Sequence, residues 1–252
     1  MCIRDRGNAA AHHSNASGIL SLANWIGQQT NASVGYLTEA ANTVGAQWVG
    51  AQPLKNGLSA GQMLSNGKTG LKAVLLLNNE PEFDSAAGKL AKNALSQAQM
   101  VVSLNPFKAN MDVCDVMLPI APFTETSGSF VNAEGRLQSF HAVVKPLGET
   151  RPAWKVTRVL ANMLSVSGFE FESSADVLKQ LQGQHADIQT AVSSSLNNLT
   201  DAKIDLSSSN VAPVTASIYQ LDGIVRRAPA LQATADAKIQ TTQMAKEQEV
   251  SA

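Results

Sequence analysis

Short, wholly apolar runs in this chain are separated by stretches in which apolar residues recur every three or four positions. That pattern lays out the expected elements. Ile19, Leu20, Leu22, Ala23 and Ile26 share one helical face and predict a helix over 17–29, with Ser17 as its N-cap. Residues 34–37 read as a short buried strand, and 45–61, punctuated by Gly, Pro and Asn, as a loop. Ala73–Leu77 is a continuous apolar run of the kind expected of a parallel strand covered on both faces. It ends at Asn78-Asn79-Glu80-Pro81. Asp84 or Ser85 then caps a helix running to about Ser96, with Leu90, Ala94 and Leu95 inward. Residues 100–104 form a second buried strand that ends in Asn105-Pro106, and 113–118 supply a third. Strand, helix and strand at this spacing make a βαβ unit, so the expected fold is α/β with a doubly wound, mostly parallel sheet.

The pattern changes over 129–144. Asn132-Ala133-Glu134-Gly135 lies between two strand-like runs, and Gly135 suits the left-handed position of a short hairpin loop. Thr150 or Arg151 precedes Pro152 at the first position of a helix whose Val156, Val159, Leu160, Met163 and Leu164 form one apolar stripe. Ser174–Gln184 predicts another helix with Val177, Leu178 and Leu181 inward. Residues 185–217, rich in Ser, Asn, Thr and Asp, read as a polar linker or surface segment, and 218–252 as a C-terminal segment with a frayed tail. On this reading 7–184 are part of one α/β domain. The opening six residues join a segment that already has the character of a domain interior, and they are taken as an artefact of a truncated sequence.

Composition removes several function classes. A net charge of −1 offers no basic stripe to neutralise phosphates, so no nucleic-acid partner is expected. No apolar run reaches the roughly 20 residues needed to span a bilayer, so no direct membrane insertion is expected, and the opening residues lack a secretory h-region. Only Cys2 and Cys114 are present, too few for an iron–sulfur cluster, which takes four thiolates. His12, His13, His141 and His185 show no metal-ligand spacing, so no metal site is expected. Cys114 has only Asp112 and Asp115 beside it, which disfavour a thiolate, and it reads as a packing residue.

Four segments carry candidate chemistry. Gly67-Lys68-Thr69 resembles the end of a phosphate-binding loop, but Gln62 stands where that loop needs glycine and a strand follows instead of preceding it, so it reads as a turn. No Gly-x-Gly-x-x-Gly pattern occurs. The loops at Asn78, Asn79 and Glu80 and at Asn105 and Pro106 occupy the carboxyl edge of the sheet, where ligands of open α/β folds bind. Their side chains could hydrogen-bond a nucleotide or pterin, or could simply form turns. The stretch from Glu125 to Gln138 is an extended approach, a tight turn and an exit strand, in which Glu125 or Glu134 could pair with Arg136 and pin the turn. No general-base constellation accompanies it, and only His141 is near, so no catalytic residue is expected.

That last stretch, with Glu125, Gly128, Asn132, Glu134, Gly135, Arg136 and Gln138, closely resembles a signature of the molybdopterin oxidoreductase superfamily, with Ser129 in place of the usual Thr. Residues 143–156 (VVKPLGETRPAWKV), 36–45 and 222–237 (DGIVRRAPALQATADA) are similar to the large iron–sulfur subunit of bacterial NADH:quinone oxidoreductase, respiratory complex I. The resemblance implies a domain of molybdopterin-enzyme fold that serves as scaffold and binds no molybdopterin. Iron–sulfur clusters would sit in a region outside this chain, and the other subunits of the peripheral arm would be its partners. It also implies a cytoplasmic location, peripheral on the inner face of the membrane. Asn78, Asn79, Glu80, Asn105, Pro106 and Glu125 would then be relics of a pterin-nucleotide pocket. In the alternative, a fragment of a cofactor-binding molybdopterin oxidoreductase such as a formate dehydrogenase, the same loops would contact the cofactor.

Overall fold

The computed structural model describes residues 8–38, 40–64, 70–85, 88–194, 196–204 and 217–238. They divide into two compact units, one of Met1–Gly35 with Leu199–Ala252 and the other of Tyr36–Asn198. Gly67-Lys68-Thr69 lies outside the described residues.

The first unit opens with α1 (Asn8–Ala11) and α2 (Ala16–Thr30). Asn15, not Ser17, holds the N-cap position of α2, and Asn31 ends it in the left-handed conformation (φ 54°). The stripe expected to be buried is only partly so: Ile19, Leu20, Leu22 and Ala23 are half-buried and Ile26 is exposed. Ser21 Oγ donates to the Ala202 carbonyl at 2.5 Å, tying the later part of the unit to the helix. Two single turns follow at Ile218–Leu221 and Pro229–Gln232, joined by Gln232 Nε2, which donates to the carbonyls of Tyr219 and Val225. Residues 34–37 do not form the expected strand; Val34 alone makes an isolated bridge.

The second unit contains α3 (Thr43–Trp48), α4 (Ala60–Leu64), β1 (Ala73–Leu77), α5 (Pro81–Asp84), α6 (Lys89–Ser96), β2 (Met100–Asn105) and β3 (Val116–Pro119). The hairpin β4 (Gly128–Val131) and β5 (Leu137–Phe140) follows, then α7 (Ala153–Met163), α8 (Ser174–Gln184) and α9 (Ile188–Ser194). β1, β2 and β3 form a parallel sheet in that order, with Leu77, Leu104 and Leu118 in register. The α/β expectation is met. One face of the sheet packs its Leu76 and Val101 on Leu64 of α4 and on Ala91, Ala94 and Leu95 of α6. Cys114 is half-buried against this cluster, in keeping with a packing role.

Several boundaries differ from the periodicity. The helix expected after Asp84 or Ser85 starts later, at Lys89, following Gly88 at φ 53°, and Pro81–Asp84 ahead of it make a turn of their own. This shifts the buried face to Ala91, Ala94 and Leu95 and leaves Leu90 exposed. The 45–61 stretch is not all loop. Val44 and Trp48, four apart, are both buried, and with Val131, Ile188 and Ala191 they make a second core. Residues 188–194, expected in a polar linker or surface segment, form α9 and contribute two of those core residues. Pro152 is the N-cap of α7 instead of its first helical residue. The stripe on α7 is the largest departure: Val159, Met163 and Leu164 are exposed, and none of that helix is buried.

Lys92 joins α5, α6 and the loop before β3 through Glu82 (2.7 Å) and Asp112 (2.9 Å). Hydrogen bonds to Glu82 and then Asp112 push the Lys92 pKa up to about 12, and the Lys92 ammonium lowers that of Asp112. The Lys92 contribution is therefore complete below about 10.5 and is lost as pH rises through about 12; that of Asp112 holds above its unfolded value and is lost as pH falls through its lowered one. The Lys92 side chain is 39% exposed, so water and salt weaken the pair. Lys92→Met should lower the melting temperature slightly in dilute buffer, and the difference should vanish at about 1 M salt, where screening acts within about 3 Å. A difference that persists at high salt would mean Lys92 acts through packing of its stem.

Candidate functional site

The carboxyl ends of β1 and β2 bring together the loops singled out in the sequence. Asn78 adopts a left-handed φ of 52° and its N–H donates to the Leu104 carbonyl at 2.7 Å, which turns the chain away from the sheet. The amides of Asn105 (3.5 Å) and Asn110 (3.0 Å) both reach the Asn79 carbonyl. Asn110 also meets Ser103 Oγ at 3.3 Å, and Asn105 Oδ1 accepts from the Phe107 N–H at 2.9 Å. Ser103, Asn105 and Glu80 are buried. Asp84 Oδ2 accepts from the Glu80 N–H at 2.7 Å and so closes the start of α5. Buried polar groups must find partners, and in these loops Asn105 and Asn110 find theirs in the Asn79 carbonyl, the Phe107 N–H and the Ser103 hydroxyl. Asn110 and Ser103 were not anticipated; the only local signal was an Asn able to take φ 61° after a turn.

The hairpin is built by Asn132. Its Oδ1 accepts from the N–H groups of Glu134 (3.0 Å) and Arg136 (2.9 Å), and its carbonyl accepts from Gly135 N–H (2.9 Å). Gly135 is buried with φ 79°, as anticipated. The expected ion pair does not pin the turn. Glu134 and Arg136 are exposed, with no salt bridge between them among the described residues, and Glu125 Oε2 accepts from the Leu147 N–H at 2.9 Å. Gly128 permits close approach of Phe140, whose ring would lie 2.9 Å from an added Cβ. Gln138 is exposed on β5.

Beneath the hairpin is a cavity of about 240 Å³ lined by residues that include Asn42, Trp48, Val131, Leu137, Trp154 and Leu178. Asn42 Oδ1 accepts from the Val131 N–H (2.8 Å), which ties the start of α3 to the hairpin, and Trp48 Nε1 donates to the Ala186 carbonyl (2.8 Å) between α8 and α9. Ser173 and Asp176 form a capping box at α8, and the hydrogen bond from Ser173 holds the Asp176 carboxyl below the usual range. Val177, Leu178 and Leu181 turn towards the cavity as the periodicity predicted. Its described lining carries no titratable side chain, so general acid–base chemistry has no agent there.

The sequence profile of the molybdopterin oxidoreductase family matches residues 1–163, a span that holds the parallel sheet, the hairpin and its Gly135 turn. The chain belongs to the molybdopterin oxidoreductase family. Among its relatives, a probable oxidoreductase of Bacillus subtilis (strain 168) is 38% identical over 69 residues, which is 27% of this chain and 7% of that protein. A putative formate dehydrogenase of Staphylococcus aureus (strain MRSA252) is 34% identical over 67 residues, 27% of this chain and 7% of the relative. Another, from the bovine strain RF122 / ET3-1, is 44% identical over 57 residues, 23% and 6% respectively. The chain thus spans less than a tenth of the length of these curated relatives.

A molybdopterin oxidoreductase of this family implies a pterin cofactor, which in its dinucleotide form brings a diphosphate and several amide edges. The strand-end loops do not fit such a group by themselves. The amides of Asn105 and Asn110 are engaged within the loops, and Lys108 is the one cation in the loop after β2. Among the described residues no group of three or more His, Cys, Asp or Glu side chains could hold a metal ion, and no helix is long and apolar enough to cross a membrane.

Proposed function

We propose that this chain is a framework portion of the cofactor-carrying domain of a larger molybdopterin oxidoreductase of the formate dehydrogenase kind. The framework role rests on one observation: Asn105 and Asn110 donate to the Asn79 carbonyl and Asn110 also to Ser103 Oγ, so the strand-end loops spend these amides on one another. The kind of enzyme is supported by relatives whose names are formate dehydrogenases. In this reading the redox centre belongs to the rest of the protein, and residues 73–140 hold one wall of its domain.

A second reading has its own support. The stretches 36–45, 143–156 and 222–237 resemble the large iron–sulfur subunit of NADH:quinone oxidoreductase. The same closed loops suit a domain that has lost its pterin. In that setting electrons would pass from NADH through clusters outside this chain towards quinone. The chain would contact other subunits of the peripheral arm on the cytoplasmic side of the membrane.

Elemental analysis of the complete protein for iron and molybdenum, with pterin fluorescence after acid release, separates the two. Molybdenum with pterin, together with formate-dependent dye reduction, is the expected result. Iron without molybdenum or pterin would overturn it in favour of the quinone oxidoreductase.

A further inference from the structure

We propose that the cavity beneath the hairpin is a binding site for a small, neutral, aromatic molecule that carries an oxygen acceptor. The cavity shares no lining residue with the strand-end loops, so the proposal goes beyond the framework role and depends on neither kind of enzyme.

Four elements of one unit enclose it: α3, the hairpin, α7 and α8. It opens beside the second core, where close packing ordinarily leaves few voids larger than a water molecule. Its walls are held from behind. Trp48 is 8% exposed and its indole donates to the Ala186 carbonyl; Val131 is 2% exposed and its N–H donates to Asn42 Oδ1. Walls fixed by bonds to other elements resist collapse, and a preformed apolar space of this kind is where small ligands bind. At about 240 Å³ it exceeds the roughly 150 Å³ apolar cavity that admits benzene. By proportion it takes a ring with a short substituent, roughly ten non-hydrogen atoms.

The lining sets the chemistry. Leu137, Val177, Leu178 and Leu181 face the space together with Trp48 and Trp154, and no lining side chain is titratable. An ion would lose its water there and gain no counter-charge, which disfavours carboxylates, phosphates and amines. A ring offers the two indoles an edge or a face.

One polar feature breaks the apolar wall. Ser127 Oγ and Ser174 Oγ, both on the cavity and both half-buried, share a hydrogen bond of 2.7 Å. Such a pair uses one of its two hydroxyl hydrogens, and the other has no acceptor among the described residues. Trp154 Nε1 is buried out of reach, so the serine pair is the donor that a ligand meets. A carbonyl or ether oxygen on the ring would take that hydrogen, whereas a buried water needs about three polar partners.

Acetophenone, isopropylbenzene and benzoate are alike in size and differ in the group beside the ring, which makes them the probes. In ligand-observed NMR titrations of the complete protein, acetophenone should bind about five- to tenfold more tightly than isopropylbenzene, the worth of one hydrogen bond. Benzoate should show no binding. Ser127→Ala combined with Ser174→Ala should bring acetophenone down to the affinity of isopropylbenzene and leave the latter unchanged. Leu178→Phe, which fills the space, should abolish both, with circular dichroism unchanged in either variant. In the unmodified protein, failure of acetophenone to bind, benzoate binding as well as acetophenone, or equal affinity for acetophenone and isopropylbenzene would each overturn the proposal. So would acetophenone binding that Leu178→Phe leaves intact, which would put the site elsewhere in the protein. Metal and pterin content does not enter these titrations, so that analysis and this one can fail separately.

Discussion

Gly135→Val is expected to destabilise the second unit by roughly 2–5 kcal/mol, from two independent strains. The first is conformational. Gly135 sits at φ 79°, a region that β-branched residues hardly visit, because the Cβ collides with the neighbouring backbone. The second is steric. A Cβ at this position would lie 2.7 Å from Val192 Cγ2 of α9, well inside contact distance. Urea denaturation followed by circular dichroism measures the sum. Gly135→Ala measured alone and in a Val192→Ala background separates the parts, because trimming Val192 relieves the collision and leaves the backbone strain. An unchanged denaturation midpoint in Gly135→Val would mean that the hairpin does not take this turn. Gln189 Nε2 also donates to the Gly135 carbonyl at 3.2 Å, so a displaced turn should loosen α9 as well.

Leu95→Ala should cost about 2–5 kcal/mol, through lost burial and the void left behind. Leu95 is 1% exposed and packs among Ala91, Ala94, Leu76 and Val101, where α6 crosses β1 and β2. Its neighbours on the helix are alanines, which cannot move in to fill the space. Leu90→Ala makes the internal control. Leu90 lies on the same helix but is 51% exposed, and its replacement should change the unfolding free energy by less than about 1 kcal/mol. Equal effects at the two positions would contradict the register of α6, and with it the boundary at Gly88.

The candidate site was legible in unequal parts. The left-handed requirement at Gly135 and the placement of Asn78–Glu80 and Asn105–Pro106 at the sheet's carboxyl edge followed from local pattern. The ion pair assigned to the hairpin did not form, because Asn132 satisfies the turn's N–H groups with its own side chain and Glu125 is engaged by Leu147. A side-chain amide one residue into a turn reaches those groups with little entropy cost, whereas two long exposed charged side chains must be ordered to meet.

Family membership was written in the hairpin stretch, since its turn needs particular residues at fixed offsets and leaves a readable trace. The kind of enzyme was not. The stretches 143–156 and 222–237 pointed towards the quinone oxidoreductase, while the relatives found are named as oxidoreductases and formate dehydrogenases. The aligned segments cover less than a tenth of those relatives, so their names describe far more than the loops that this chain shares with them.

The sequence by itself determined the elements whose reasons are local. Ala73–Leu77, an unbroken apolar run, and residues 100–104, broken only by Ser103, are strands of a parallel sheet, and Gly135 turns the chain at φ 79°, where a side chain would be strained. Only the tertiary structure decided what lies across long separations. The Trp48 indole finds the Ala186 carbonyl 138 residues away, and Asn42 finds the Val131 N–H 89 residues away. Those two bonds tie α3, in what read as loop, to the hairpin through Asn42 and to the segment between α8 and α9 through Trp48. The stripe on α7 shows the converse: spacing states which residues can share a face, but burial needs a second surface, and no neighbour along the chain reveals whether one arrives.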